Sequence, residues 1–160
     1  MLIRYSSQDP SQARPFTTRE KFYYAAIYPD EKEGAIWAVG TRGDFYKVNR
    51  YGKTIAYFKA DSIAMADQVA FNTEKNYAWV INVNYDDANK TKLQKLSMED
   101  GTIITEVKPE EYVSPGEHHG RFTVHLSLDR QTESLWIFDA GNNKLMKLSP
   151  EGKLVLTIML

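Results

Sequence analysis

An all-β chain built from about three copies of one four-stranded antiparallel unit is what this sequence predicts, and three observations predict it. Short apolar runs rich in β-branched and aromatic residues recur along the 160 residues, each closed by Gly, Pro, Asn, Asp or Ser. Tryptophan occurs three times, at Trp37, Trp79 and Trp136, each time inside such a run. Gly52, Gly101 and Gly152 follow at spacings of 49 and 51 residues, and each is preceded by a Lys and a branched apolar residue: Lys47-Val48, Lys95-Leu96 and Lys147-Leu148. Self-similarity at this period reads as a repeat protein.

In chain order, residues 1–20 are a short apolar run followed by a polar tether with Pro10 and Pro15. The tether reads as a linker, and the run at 2–5 as a strand suited to the edge of another sheet. Unit one, 21–60, places strands at 21–28, 35–39, 45–49 and 53–59. Unit two, 61–108, places them at 67–72, 76–83, 92–98 and 102–108, with a single helical turn expected within 61–68 and a long polar loop after 83. Unit three, 109–160, places them at 121–128, 133–139, 143–149 and 153–158. It is the cleanest copy: Leu-Trp-Ile-Phe at 135–138 is broken by Asp-Ala-Gly-Asn-Asn, whose residues tolerate turns and positive φ. Four short antiparallel strands per copy make a β-propeller segment of about three blades; the alternative is a β-sandwich with coincidental Trp spacing.

The third unit resembles the NHL repeat of six-bladed β-propellers. Trp136 to Leu145, then Leu148 and Pro150-Glu151-Gly152-Lys153, follow that pattern, with Asp139, Gly141, Asn142, Lys144 and Gly152 matching position by position. The first unit departs from it, with Gly40-Thr41-Arg42-Gly43-Asp44 in place of the Asp-Gly-Asn run, and the second carries the polar loop there instead. The resemblance spans roughly 22–158 and implies a fold more than an activity.

Net charge is −1 with 26% charged residues, so no single-sign field points to nucleic acid or an anionic membrane. Cysteine is absent, which excludes a disulfide framework. No apolar run approaches the roughly 18 to 20 residues that span a bilayer, and the start lacks a signal-peptide core. A cytoplasmic protein, or a piece of a longer precursor, is expected.

In a propeller, the loop between strands two and three of a blade shares a face with the loop leading into the next blade. That face collects Arg42, Asp67, Asp139, Asn142 and the two longest polar loops, 82–92 and 109–121, and long loops on a rigid scaffold are where sites form. The ligand-binding set expected there is Arg42, Asp67, Asp86, Asp87, His119, Arg121, Asp139 and Asn142. His118 and His119 lie where a strand enters the channel wall, and a His there has the pKa for proton transfer. Neighbours on an extended chain point to opposite faces, so the pair reads either as solvated or as supplying one base. His125 alternates with Phe122, Val124, Leu126 and Leu128 and reads as a satisfied packing residue.

Asn82, Asn84, Asp86, Asp87 and Asn89 offer hard oxygens for a divalent cation such as calcium, with Asn84, Asp86 and Asp87 the candidate ligands. The glycine and closing Glu of an EF-hand are missing, and a solvated loop is the plainer reading. Gluconolactonase-like propellers hold calcium in their channel, which the resemblance does not carry onto particular residues here.

The expected function is non-enzymatic binding of a protein or small-molecule ligand. The alternative is a propeller hydrolase or lyase using His118 or His119, with or without a divalent cation. Propeller rings need about four to eight blades. Three blades therefore suggest half of a six-bladed ring, closed by a homodimer that covers the two bare sheet faces.

Overall fold

The structure, a computed structural model, describes residues 2–4, 14–16, 24–84, 91–107 and 124–160. Its strands are β1 (Leu2–Arg4), β2 (Arg14–Phe16), β3 (Tyr24–Asp30), β4 (Ala35–Gly40), β5 (Asp44–Asn49), β6 (Thr54–Lys59), β7 (Ala66–Asn72), β8 (Tyr77–Asn82), β9 (Lys92–Ser97), β10 (Ile103–Val107), β11 (Val124–Asp129), β12 (Ser134–Asp139), β13 (Lys144–Leu148) and β14 (Leu154–Met159). Twelve of them form three four-stranded meanders in chain order, β3 to β6, β7 to β10 and β11 to β14. Strand β7 lies beside both β3 and β11. The first strands of the three sheets are thus neighbours and the sheets fan outward from them, which is the propeller arrangement.

Two expectations about local structure change. Among the described residues there is no helix: the segment expected to make a helical turn is a tight turn followed by β7. The amides of Ala64 and Met65 donate to the Asn82 side chain, at 2.9 and 3.3 Å, rather than to a preceding helical turn. The second difference is at the start, where β1 pairs with β2, Leu2 opposite Phe16 and Arg4 opposite Arg14, so part of the expected tether is a strand.

The three tryptophans hold the same position, third in β4, β8 and β12. Each faces a lysine across the sheet: Trp37–Lys47, Trp79–Lys95 and Trp136–Lys147. The ammonium groups stand over the indoles at 5.4, 5.7 and 5.3 Å, a cation–π geometry. Trp37 and Trp79 are buried between sheets. Trp136, in the same register, is half-exposed, because among the described residues its side of the third sheet carries no further sheet.

Two apolar layers join the blades. Between the first and second lie Trp37, Val39, Phe45, Phe58, Val80 and Leu96. Between the second and third lie Trp79, Ile81, Val107, Leu135, Ile137 and Met146. Of the two outer sheet faces expected to be bare, that of the third blade is, with Leu154, Leu156 and Ile158 exposed. The first blade's outward face is buried at Ala38 and Val48, Ala38 lying between Ile27 and Tyr46 across the strands, and is open further out at Ile55 and Tyr57.

The landmark glycines sit as the repeat requires, with φ of 82°, 79° and 84° at Gly52, Gly101 and Gly152. The Lys–apolar pair before each of them marks a shift of register between third and fourth strands, at Lys47/Val48, Lys95/Leu96 and Lys147/Leu148. This is a bulge recurring once per blade.

Candidate functional site

The face predicted to carry the site is a hydrogen-bonded rim. The turn between β4 and β5 is tied to the loop leading into the second blade: Ala60 N donates to Gly43 O at 2.9 Å, and Ala66 N to Thr41 O at 2.7 Å. Val83 N then donates to Met65 O at 2.8 Å. Gly43 is needed at this junction, since φ is +79° and a β carbon would stand 2.8 Å from Ala60 O. Asn82, at the end of β8, completes the join. Its Oδ1 accepts from Ala64 and Met65, and its Nδ2 donates to Ser62 O at 2.7 Å and to Gln94 Oε1 at 3.1 Å. The relay runs on, because Gln94 Nε2 donates to Glu106 Oε2 at 2.9 Å and Lys92 Nζ pairs with Glu106 Oε1 at 2.7 Å. Asn82 is therefore an internal pin, and its oxygen is spent on the backbone.

On this rim Arg42 is exposed. Asp67, second in β7, is half-buried, and burial pushes its carboxyl above the usual aspartate range while the nearby His125 charge draws it back down. His125, second in β11, was expected to pack internally. It is exposed instead, its ring stacked on Phe138 with centroids 6.4 Å apart, while Val124, Leu126 and Leu128 take the side toward the second blade. Asp67 and His125 stand on two neighbouring first strands, β7 and β11, near enough for the histidine charge to act on the carboxyl. An acid that holds its proton more firmly beside an imidazole can donate to, accept from or attract a polar ligand.

Asp139 and Asn142 serve the turn between β12 and β13. Asp139 is buried, and its carboxylate accepts from Gly141 N at 3.1 Å, Asn142 N at 3.3 Å and Asn142 Nδ2 at 2.7 Å. Asn84 N donates to the buried Thr91 Oγ1 at 3.2 Å, closing the base of the long loop. Asp86, Asp87, Asn89, His118, His119, Arg121 and Phe122 lie outside the described residues. Among the described residues no group of three or more acidic or His side chains gathers as a metal site.

The opposite face has its own repeated chemistry. Asp30, Asn72 and Asp129 end the first strands and cap the following turn, accepting from Glu33 N, Lys75 N and Gln131 N. Four residues on, Gly34, Asn76 and Glu133 take positive φ of 59°, 54° and 56°. Glu133 reaches back to pair with Lys75 of the second blade, and the pairing holds its carboxyl below the usual range. Lys95 Nζ donates to Pro150 O at 3.1 Å, and burial lowers its pKa. These contacts lock blades together.

No family model matches the chain, and no curated protein matches it. Solved structures do. Virginiamycin B lyase from Staphylococcus aureus aligns with a TM-score of 0.67 at 16% identity, over 99% of this chain and 48% of that one. The WD40 domain of Neurospora crassa Pan2 aligns at 0.57 with 12% identity, over 85% and 36%. A protein of unknown function from Bacteroides caccae aligns at 0.57 with 10% identity, over 92% and 49%. At these identities the likeness is one of fold, and the chain is an all-β, propeller-like segment. It spans about half or less of the length of the structures it matches.

Proposed function

We propose that the chain is a non-enzymatic, NHL-like propeller segment that binds a protein or small-molecule ligand on the rim described above. The single observation that carries this reading is the tying of the 41–43 turn, the 60–65 loop and Asn82 into one hydrogen-bonded edge. A pre-organised edge loses little conformational freedom on binding, and Arg42 and Asp67 stand on it with opposite charge.

The test is a ligand screen on the purified chain, followed by Arg42→Ala and Asp67→Asn in the best binder's assay. Weaker binding in variants that keep the folded circular-dichroism spectrum supports the rim. A response confined to the opposite turns, for example to Lys32→Ala, overturns it.

A propeller lyase or hydrolase is the second reading, favoured by the Asp67–His125 juxtaposition, with His118 or His119 as further bases and a divalent cation on Asn84, Asp86 and Asp87. Loss of turnover with retained affinity in His118→Gln, His119→Gln or His125→Gln separates it from binding, and metal content of the purified chain tests the cation.

A further inference from the structure

We propose that the bare face of the third blade is a blade-docking surface whose occupant is the first blade of a second copy of this chain. The argument rests on a packing rule that the chain states twice. In the second and third blades the turn glycine between third and fourth strands presses onto the fourth strand of the preceding blade. Gly101 packs under Phe58, where a β carbon would stand 2.8 Å from Cδ2, and Gly152 packs under Val107, where it would stand 2.5 Å from Cγ2. Phe58 and Val107 are equivalent, each six residues after its own blade's turn glycine. Both are buried, at 8% and 4% exposure.

The third blade offers the same socket without its occupant. Six residues after Gly152 stands Ile158, paired with Leu145 as Phe58 is paired with Phe45 and Val107 with Leu93. Ile158 is 39% exposed, Leu156 is exposed beside it, and Trp136 repeats the position of Trp79, which touches Gly152. The remaining knob is on the first blade. Gly52 has the same left-handed turn, with φ of 82°, yet is half-exposed where Gly101 and Gly152 are buried. The inner part of that face is buried at Ala38 and Val48, and its open part is the outer edge, where the apolar Ile55 and Tyr57 stand exposed on the adjoining strand.

Knob and socket lie at opposite ends of one arc, so the contact is head-to-tail. A head-to-tail contact made twice between two copies gives a closed ring of six blades, and the proposal is for that closed pair rather than an open filament. Polarity fits as well, because the interface continues the apolar layers already formed between blades one, two and three.

The test is light scattering of the 160-residue chain at micromolar concentration, with Ile158→Asp and, as a control on the other side of the same strand, Thr157→Asp. The expected result is a dimer of about twice 18.4 kDa for the unsubstituted chain and for Thr157→Asp, and a folded monomer by circular dichroism for Ile158→Asp. Should Ile158→Asp fail to fold, Leu156→Lys takes its place with the same expected monomer. A monodisperse monomer for the unsubstituted chain overturns the proposal and leaves the face to a blade of another sequence. So does a dimer that survives both socket substitutions, or one that Thr157→Asp abolishes equally.

Discussion

Gly152 lies so close beneath Val107 of the preceding blade that a β carbon there would stand 2.5 Å from the valine Cγ2. The glycine therefore meets two demands at once, a left-handed turn within its own blade and a near-contact between blades. Gly152→Ala incurs roughly 1 kcal/mol for φ of +84° and about 1 to 3 kcal/mol for overpacking. Gly34 has a similar φ of +59° but no atom within 4 Å of a β carbon, so Gly34→Ala incurs the first cost alone. Urea denaturation of the two variants checks this. Equal losses would mean that the contact between blades contributes nothing.

Trp79 and Trp136 share a register but not an environment. Trp79→Ala opens a cavity between two sheets and is expected to lose about 3 to 5 kcal/mol. Trp136→Ala removes a half-exposed ring and is expected to lose about 1 to 2 kcal/mol, for want of a covering sheet. Chemical denaturation measures both. Both are measured on the monomeric Ile158→Asp background, where no second copy covers the third blade, and a loss at Trp136 matching that at Trp79 would show that the ring is buried within the single chain.

The strands were legible because their residues repeat in kind: an indole in each second strand, a Lys–apolar pair in each third, a glycine in each turn. The turns between first and second strands were legible as turns but not as copies of one another, although their geometry repeats as strictly. Asp30, Asn72 and Asp129 cap them alike, but the left-handed position four residues later is filled by Gly, Asn and Glu, and the change of residue type hides the repeat. The site was legible as a face and not as a set of residues. Asn82 reads in sequence as one oxygen among many in a polar loop, and its role depends on Ser62, Ala64 and Met65, some 20 residues away. His125 sits on an alternating strand whose other side is apolar, which says that it faces away from Val124 and Leu126 but not whether a further sheet covers it.

Asp67 should leave a signature in the pH dependence of stability. Burial raises its folded pKa, and the His125 charge opposes the shift in part. A carboxyl whose folded pKa exceeds its unfolded value binds its proton more tightly in the native state. Its contribution is present below the ordinary aspartate range, near 3.9, and is lost as pH rises through the raised folded value. Asp67→Asn should flatten that decline, and His125→Gln should carry the Asp67 titration to still higher pH. Urea midpoints across pH 3 to 7 (about one unit apart) and carboxyl NMR titration measure the two effects. An unchanged pH profile in Asp67→Asn removes the residue from the account.

Asn82 separates a pin from a ligand. As a ligand for a hard cation, the position would accept Asn82→Asp readily, since a carboxylate adds charge and oxygen. As a pin, it would not. The amide uses its oxygen to accept from Ala64 and Met65, but its Nδ2 donates to Ser62 O and Gln94 Oε1. An aspartate would turn a negatively charged oxygen toward both of those acceptors, inside a residue position that is buried. Asn82→Asp is therefore expected to lose at least as much stability as Asn82→Ala, about 2 to 3 kcal/mol for several unmet partners. In both variants the amides of Ala64 and Met65 should exchange with solvent faster, while amides of β12 and β13 in the third blade keep their protection. Hydrogen exchange followed residue by residue reads this directly, and calcium titration of the same samples supplies the contrast. If Asn82→Asp were as stable as the unsubstituted chain and gained calcium affinity, the pin would give way to the cation site.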